Sequence, residues 1–217
     1  MFGGKKNGNR ANWILEDHRF LERSACLRLL RVAEQEKNDA CRTGRTVPVK
    51  DWFVIVVATE TGLRVQEMAD LTCGDLFLSP GRSSVRVRNG KGGKKRIVRV
   101  AERFREMANE YLTWKVEQGE SIGDDAPLFS VKGRFMTKRA LQKSFKRSVK
   151  RAGIVQRRGV GIHSARHTYG TFLLKASKNN LRLVQEQLGH GSITTTEVYT
   201  HVLNSDRDRA LARLYGR

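Results

Sequence analysis

The sequence is short of cysteine, of acidic residues and of long apolar runs, and each shortage excludes a class of protein. Its three cysteines, Cys26, Cys41 and Cys73, form neither a C-x-x-C pair nor a Cys/His cluster. This excludes a disulfide framework and a zinc site and indicates reduced, structural thiols. The longest apolar run, residues 52–58, is too short to span a bilayer, and the first ten residues contain no apolar segment of the signal-peptide type. We therefore expect a soluble, cytoplasmic protein with no membrane segment.

Acidic residues are few relative to basic residues. The 217 residues include 22 Asp and Glu against 42 Lys and Arg, a formal net charge of +20, and the isoelectric point is near 10.6. A folded domain with this surplus repels itself unless it meets a polyanion. Nucleic acid is the expected partner, and charge alone leaves an anionic membrane surface or ribosomal RNA as alternatives. The length fits one large domain, or a domain with a small appendage.

Apolar residues recur at helical spacing along most of the chain, which predicts a mainly helical protein. A helix that follows Pro48 has Trp52, Val56 and Thr59 along one face, and Gly62 is placed to cap its C-terminus. After a flexible basic tail at 1–12, the predicted helices cover about 13–37, the segment after Pro48, and residues 65–71, 101–118, 138–151, 163–176 and 179–190.

Between about Leu76 and Val100 the apolar period changes from helical to alternating. Val85 and Val87 lie on one face of a predicted strand, and a Gly-rich turn and a second apolar-rich strand follow. This is the pattern of a β-hairpin. The predicted fold class is therefore mainly α (α+β), a helical domain with one small antiparallel sheet.

Two basic stretches form the predicted nucleic-acid surface. One is the exposed side and loop of the hairpin. The other is the helix at 138–151, which has seven Lys and Arg, no acidic residue, and an apolar stripe that includes Leu141, Phe145 and Val149. A solvated cationic face without a ligand is the alternative for such a charge run. The predicted contacts are Arg86, Arg88, Lys94, Lys95, Arg96, Lys138, Arg139, Lys143, Lys146, Arg147 and Lys150.

Three short motifs carry candidate site residues. In "TGLRVQE", Arg64 follows a helix-breaking glycine and Glu67 lies three residues later, where it can orient the guanidinium; a surface ion pair is the common alternative. The hairpin loop "NGKGGKKR" places Lys91 between glycines, at a tip that can approach a backbone closely. In "HSARH", His163 and Arg166 share a helix face, and a guanidinium fork suits two phosphate oxygens. Each motif alone is weak.

The fourth motif is "LGHGSITTTEVYTHV", residues 188–202, which contains His190 and Tyr199. Propensity alone predicts a strand around Tyr199, because Val198, Thr200 and Val202 are β-formers. The order of the four motifs along the chain is more informative than any one of them.

From about residue 14 to 203 the sequence resembles the catalytic domain of the tyrosine recombinase (phage integrase) family, with the four motifs in the family's order and approximate spacing. The resemblance implies that Tyr199 is the nucleophile, forms a 3′-phosphotyrosyl link to DNA and lies on a short helix rather than a strand. It implies that Arg64 and Arg166 clamp the scissile phosphate and that Glu67 supports them.

The resemblance also assigns the proton chemistry. Lys91 is the implied general acid for the departing 5′-oxygen, His163 assists proton transfer or binds the phosphate, and His190 hydrogen-bonds a phosphate oxygen. Two arginines and an imidazole supply positive charge where the phosphorane develops negative charge, so no divalent metal and no cofactor is expected. The implied substrate is double-stranded DNA, with no small-molecule substrate.

The resemblance further implies a domain organisation. Residues 13–203 correspond to the catalytic domain, and 204–217 to a segment that docks in cis or onto a neighbouring protomer of a tetramer on DNA. Family members usually carry a separate helical DNA-clamping domain, and we expect this chain to lack it, since about a dozen residues precede the first predicted helix. The expected location is the nucleoid of a prokaryote, or of the host of a phage or mobile element.

Three other functions remain open at this point. A type IB topoisomerase shares the Arg/Lys/His/Tyr chemistry and would relax supercoiled DNA without sequence preference. A DNA-binding regulator would keep the fold without catalysis, although every motif residue is present. A basic RNA-binding or ribosome-binding protein explains the charge but not the order of the motifs.

Overall fold

The computed structural model of the chain describes residues 21–90, 93–155 and 160–189. The predicted tail at 1–12, the first part of the first predicted helix and the segment 204–217 lie outside these residues. The described part is mainly helical with small antiparallel sheets, as predicted. Its helices are α1 (Arg23–Arg42), α2 (Thr46–Thr61), α3 (Val65–Ala69), α4 (Glu102–Glu117), α5 (Lys138–Arg151), α6 (Ile162–Ala176) and α7 (Leu181–Leu188).

Helix α2 is the centre of the core because its residues 52–58 form an uninterrupted apolar run. The run 52–58 is fully buried, and α1, α4, α5 and α6 pack around it. Phe53 stacks on Tyr111 of α4 at a ring-centroid distance of 4.1 Å. The helix begins at Thr46, before Pro48, so the predicted start after Pro48 is wrong. Proline is tolerated there because the N–H groups of a first helical turn have no intrahelical acceptor.

The predicted hairpin is two strands of a three-stranded antiparallel sheet in the order β1-β2-β3. Val85 of β2 lies opposite Val98 of β3, and both are completely buried. A second, unpredicted hairpin turns at Lys132 and Gly133, both at positive φ, as a tight turn of mirror-image type requires. The strands are β1 (Leu76–Phe77), β2 (Ser84–Val87), β3 (Arg96–Arg99), β4 (Ser130–Val131) and β5 (Arg134–Phe135).

Helix α5 forms as predicted and docks through its apolar stripe. Leu141, Phe145 and Val149 are buried, and the side chain of Thr137 caps the N-terminus by accepting from the Ala140 N–H at 3.2 Å. Gly153 follows the helix at φ +60°. The basic residues therefore cover the outer part of a helix whose inner face contacts α2 and α3.

Helices α6 and α7 form the end of the described chain. Leu174, Val184 and Leu188 make a small apolar cluster between them, with Tyr169 packed against it. None of the helices in the described ranges combines the length and apolar character that a membrane crossing needs.

Gly62 provides a test of how α2 is joined to this cluster. It caps α2 in the left-handed region at φ +61°, as predicted, and a Cβ there would lie 2.4 Å from Cδ1 of Tyr169. Gly153 has nearly the same φ, but a Cβ there would meet nothing within 4 Å. Gly62→Ala is expected to lower the free energy of unfolding by about 3 kcal/mol, and Gly153→Ala by only about 1 kcal/mol. Urea titration of both variants measures the difference, and equal losses would contradict it.

Candidate active site

The site is built around the carboxylate of Glu67, whose side chain is only 2% exposed. Glu67 is the third residue of α3, and its Oε2 accepts the backbone N–H of Arg64 at 2.8 Å. Glutamate at this position commonly satisfies a free N–H at the start of a helix. Local helix capping therefore explains why the carboxylate turns back toward Arg64.

Three arginines from separate parts of the chain surround this carboxylate. Arg64 donates Nη1 to Oε1 of Glu67 at 2.9 Å. Arg96 of β3 donates Nη1 to Oε1 at 2.7 Å and Nη2 to Oε2 at 2.9 Å, a bidentate pair. Nη1 of Arg166, from α6, lies 3.9 Å from Oε2. One negative charge thus faces three positive charges, which leaves a local surplus of positive charge.

The ends of two helices hold Arg166. Its Nη1 donates to the carbonyl of Gly62, just after α2, and its Nη2 donates to the carbonyl of Leu188, the last residue of α7, both at 2.6 Å. Carbonyls at helix C-termini lack intrahelical donors and carry partial negative charge, so a guanidinium is a favourable partner. Arg166 therefore ties the C-termini of α2 and α7 together beside Glu67.

The C-terminus of α7 also contacts the other two arginines. Arg64 Nη2 lies 3.5 Å from the carbonyl oxygen of Gly189, and Nε of Arg96 donates to the carbonyl of Gln187 at 3.3 Å. Gly189 has φ +63°, and a Cβ on it would lie 2.8 Å from Cδ of Arg96. The "LGH" glycine thus permits both the helix end and the close approach of Arg96.

The arginines keep Glu67 ionised in spite of its burial. Burial alone disfavours the charged carboxylate, but hydrogen bonds from Arg96 and the Arg64 N–H, together with the charges of Arg96 and Arg166, lower the pKa of the Glu67 carboxyl to about 2. At neutral pH the cluster is therefore a fixed cationic site with an ionised carboxylate at its centre.

The structure brings together three of the seven residues predicted for the catalytic centre, Arg64, Glu67 and Arg166. His163 lies one turn before Arg166 on α6 and is exposed, whereas Arg166 is buried, so the two side chains do not share one exposed face. Lys91, His190 and Tyr199 lie outside the described residues, and their roles stay predictions. Among the described residues, no group of three His, Cys, Asp or Glu is arranged to hold a metal ion.

Arg96 occupies a different environment from the one predicted from the sequence. The prediction put it on the exposed side of the hairpin, but its side chain is only 12% exposed and bonded to Glu67. Strand alternation contained the signal, because Arg96 and Val98 share a face of β3 and Val98 is buried, while Ile97 and Arg99 are exposed. The basic composition of the segment concealed this alternation.

The other predicted DNA contacts differ in their exposure. Arg86 and Arg88 both donate Nε to Oδ1 of the buried Asp75, at 2.8 and 2.7 Å, and each stays 37% exposed. Burial opposes ionisation of Asp75, but hydrogen bonds from Arg86, Thr72 and Arg88 hold the pKa of its carboxyl below the usual value. Residues on the open surface are Lys94, Lys95, Lys138, Arg139, Lys143, Lys146 and Lys150.

Arg147 differs from its neighbours on α5. Its Nε and Nη2 donate to the two carboxylate oxygens of Asp51 at 2.5 Å, and Ser144 donates to the same buried carboxylate. Arg151 pairs with Glu36 of α1 at 2.6 Å. The absence of acid within 138–151 therefore did not mean an unpaired helix, because α1 and α2 supply the carboxylates.

The two described tyrosines are poor candidates for a nucleophile. Tyr111 is completely buried against Phe53, and burial raises the pKa of its phenol. Burial and the charge of Glu60 raise the pKa of Tyr169 to about 12. Both shifts oppose formation of a phenolate, which fits the prediction that Tyr169 has a packing role.

The low pKa of Glu67 predicts a dependence of stability on pH. Because the folded-state pKa lies below the unfolded value, the ionised carboxylate stabilises the fold above about pH 4.5, and this contribution is lost as the pH falls toward 2. Glu67→Gln is expected to lower the free energy of unfolding by about 3 kcal/mol at neutral pH. Its free energy of unfolding should also fall less steeply than that of the wild type as the pH is lowered. Urea unfolding between pH 7 and 3 measures both effects.

Glu120 is the matched control for that measurement. Hydrogen bonds from Lys115, Lys50 and Ser130 outweigh its burial and lower its pKa to about 2 as well, in a network that shares no residue with the arginine cluster. Glu120→Gln should therefore weaken the loss of stability at acid pH in the same way. If the stability of Glu67→Gln fell with pH as steeply as that of the wild type, the low pKa assigned to Glu67 would be contradicted.

Known proteins resemble this chain over most of its length. The Phage integrase family model matches residues 20–206. The tyrosine recombinase XerC of Thermodesulfovibrio yellowstonii is 34% identical over 158 residues, which cover 70% of this chain and 50% of that protein. The tyrosine recombinase XerD of Oceanobacillus iheyensis is 37% identical over 159 residues, 71% of this chain and 50% of that protein.

A solved recombinase structure has a similar fold. The XerH site-specific recombinase, in a post-cleavage complex with its palindromic difH substrate, superposes with a TM-score of 0.73 at 27% identity, covering 91% of this chain and 53% of that chain. The chain spans about half the length of the curated relatives it matches. The match over most of the chain confirms the resemblance inferred from the four motifs, and the chain belongs to the Phage integrase family.

Proposed function

We propose that this chain carries the catalytic part of a site-specific DNA recombinase. It cleaves one DNA strand at a time through a covalent 3′-phosphotyrosyl bond and rejoins it to a new partner strand. The observation that carries the proposal is the cluster of Arg64, Arg96 and Arg166 around Glu67, because it presents a surplus of fixed positive charge. A phosphate diester, with one negative charge and two non-bridging oxygens, is the complementary ligand.

Arg64 is the arginine best placed to receive that phosphate. Its side chain is 25% exposed, whereas that of Arg166 is 7% exposed. Nη1 of Arg64 is bonded to Glu67, but Nη2 has only a 3.5 Å contact with the carbonyl of Gly189. Arg64 can therefore offer a guanidinium edge to the phosphate while Glu67 keeps the group oriented. Arg166 is more deeply buried, adds positive charge beside Glu67, and holds the C-terminal ends of α2 and α7 next to the site.

In the proposed reaction the phenolic oxygen of Tyr199 attacks the scissile phosphorus as the bond to the 5′-oxygen breaks. A phenol of pKa near 10 is only about one part in a thousand ionised at pH 7, so a base must accept its proton. His163, exposed at the start of α6, and His190 are the proposed imidazoles, for proton transfer and for binding a phosphate oxygen. Lys91 gives its proton to the leaving 5′-oxygen.

Charge neutralisation by the arginines stabilises the phosphorane, so the proposal requires no divalent metal. One phosphodiester bond is replaced by one phosphotyrosyl ester, so the bond energy is retained and rejoining needs no ATP. The free 5′-hydroxyl of a second strand reverses the step and releases Tyr199.

The proposed partner is double-stranded DNA, and the proposed active assembly is a tetramer on DNA, within the nucleoid. The XerH neighbour was crystallised on its DNA substrate, and exposed lysines on α5 and the hairpin give this chain a cationic surface. The XerC and XerD relatives are named as recombinases, which favours strand exchange over topoisomerase activity and over a non-catalytic regulator.

A nicked suicide duplex with a candidate site tests the reaction. The wild type is expected to become attached to the 3′ end of the cleaved strand in EDTA, and Tyr199→Phe is not. Tyr169→Phe is the matched control and should still attach, because burial suppresses the reactivity of that phenol. Attachment by Tyr199→Phe, or a strict magnesium requirement, would contradict the proposal. Glu67→Gln should attach measurably more slowly than the wild type, while Glu120→Gln should attach at the wild-type rate.

Salt dependence tests the basic surface. Neutralising Lys138, Lys143 and Lys150 is expected to weaken DNA binding for all sequences and to reduce the slope of log K against log salt by about one for each phosphate that the variant no longer neutralises. Arg147→Gln is the control, because its guanidinium is bonded to Asp51; it should lower stability more than affinity. Fluorescence anisotropy between about 50 and 200 mM salt measures the slopes, and an unchanged slope in the lysine variant would exclude these lysines as phosphate ligands.

A further inference from the structure

We infer that Arg96 is a positioning residue for DNA cleavage: it holds the Glu67 carboxylate, and through it the guanidinium of Arg64, in the orientation that receives the scissile phosphate. The inference rests on the proposed function and goes beyond it, because Arg96 lies outside the set of residues that the motifs predict for the catalytic centre. Three features of Arg96 support it.

The first feature is that Arg96 fixes the plane of the Glu67 carboxylate. Arg96 donates to both oxygens, at 2.7 and 2.9 Å, so the carboxylate cannot rotate without breaking a hydrogen bond. Arg64 shares both oxygens with Arg96, through Nη1 on Oε1 and its backbone N–H on Oε2. The direction of the Arg64 guanidinium therefore depends on an orientation that Arg96 sets.

The second feature is that Arg96 has little capacity to bind DNA itself. Its side chain is 12% exposed, against 25% for Arg64. All three guanidinium nitrogens already donate, two to Glu67 and Nε to the carbonyl of Gln187 at 3.3 Å. The two N–H donors that remain belong to a side chain with little exposed surface, so a phosphate reaches Arg96 less readily than Arg64. We therefore place the effect of Arg96 on cleavage in its contacts with Glu67 and Arg64.

The third feature links Arg96 to the "LGH" motif. A Cβ at Gly189 would lie 2.8 Å from Cδ and 2.9 Å from Nε of Arg96, so the glycine is packed directly on the arginine side chain. Arg96 thus joins the start of α3, the strand that follows the Lys91 loop, and the end of α7. In the proposed mechanism these three segments must be held in fixed positions relative to one another.

The test compares Arg96→Lys with Arg99→Ala, measured by cleavage of saturating suicide duplex and by DNA affinity. Lysine keeps the charge beside Glu67 but cannot bridge both oxygens. Arg99 lies on the same strand, is exposed, and bonds the carbonyl of Arg82 instead. Arg96→Lys is expected to cleave about tenfold or more slowly with affinity within about twofold of the wild type. Arg99→Ala should cleave at the wild-type rate.

A neutral scissile group separates positioning from a general structural defect. A methylphosphonate at the cleavage site lacks the negative charge that the arginines neutralise, so its cleavage depends less on where Arg64 points. The defect of Arg96→Lys should therefore shrink on the methylphosphonate duplex. A defect of equal size on both duplexes would overturn the inference, as would wild-type cleavage by Arg96→Lys or a loss of affinity that parallels the loss of rate.

Two further variants make the result independent of the folding of one mutant. Gly189→Ala displaces the Arg96 side chain without removing its charge and is expected to give the same pattern. In a Glu67→Gln background, Arg96→Lys should add little to the loss of rate, because both changes disrupt the same ion pair; full additivity would overturn the inference. If the Arg96 variants cleave at the wild-type rate and Tyr199→Phe does not cleave, only the inference about Arg96 is refuted. If Tyr199→Phe still cleaves, the proposed function is refuted.

Discussion

The burial of one carboxylate, that of Glu67, is the constraint on which the site depends. An ionised carboxylate with 2% of its side chain exposed is costly unless cations and N–H donors surround it. Here the N–H donors are Arg64, just before α3, and Arg96 of β3, and Arg166 of α6 adds a third positive charge nearby. Satisfying Glu67 therefore brings three arginines together, so the same contacts stabilise the fold and preorganise the cluster that we propose binds the scissile phosphate.

The same device recurs elsewhere in this strongly basic chain. Asp75 receives Arg86 and Arg88 from β2 and the residue that follows it, and Asp51 receives Arg147 from α5. Each buried acid orients part of a cationic surface and reduces its self-repulsion. Glu67, Asp75 and Asp51 thus act as buried anchors for arginines, while exposed lysines carry charge that faces solvent.

Helix ends complete the architecture. Arg166 bridges the C-terminal carbonyls of α2 and α7, and Gly62 and Gly189 supply the left-handed residues at which those helices stop. At both glycines a larger residue would collide with a neighbouring side chain, Tyr169 or Arg96. The way in which α2 and α7 end and the geometry of the arginine cluster therefore depend on the same contacts.

The sequence by itself determined the helical periodicity, the glycine cap of α2, the main hairpin and the order of the four motifs, because these depend on residues near one another in the chain. It also placed Arg64 with Glu67, since helix capping works over three residues. Only the tertiary structure decided that Arg96 faces Glu67 and that Arg147 faces Asp51. Their partners lie 29 and 96 residues away, and composition shows that a charge exists but not which buried carboxylate will neutralise it. The short β4–β5 hairpin follows the same logic, since two paired residues on each strand are too few to produce a periodic pattern.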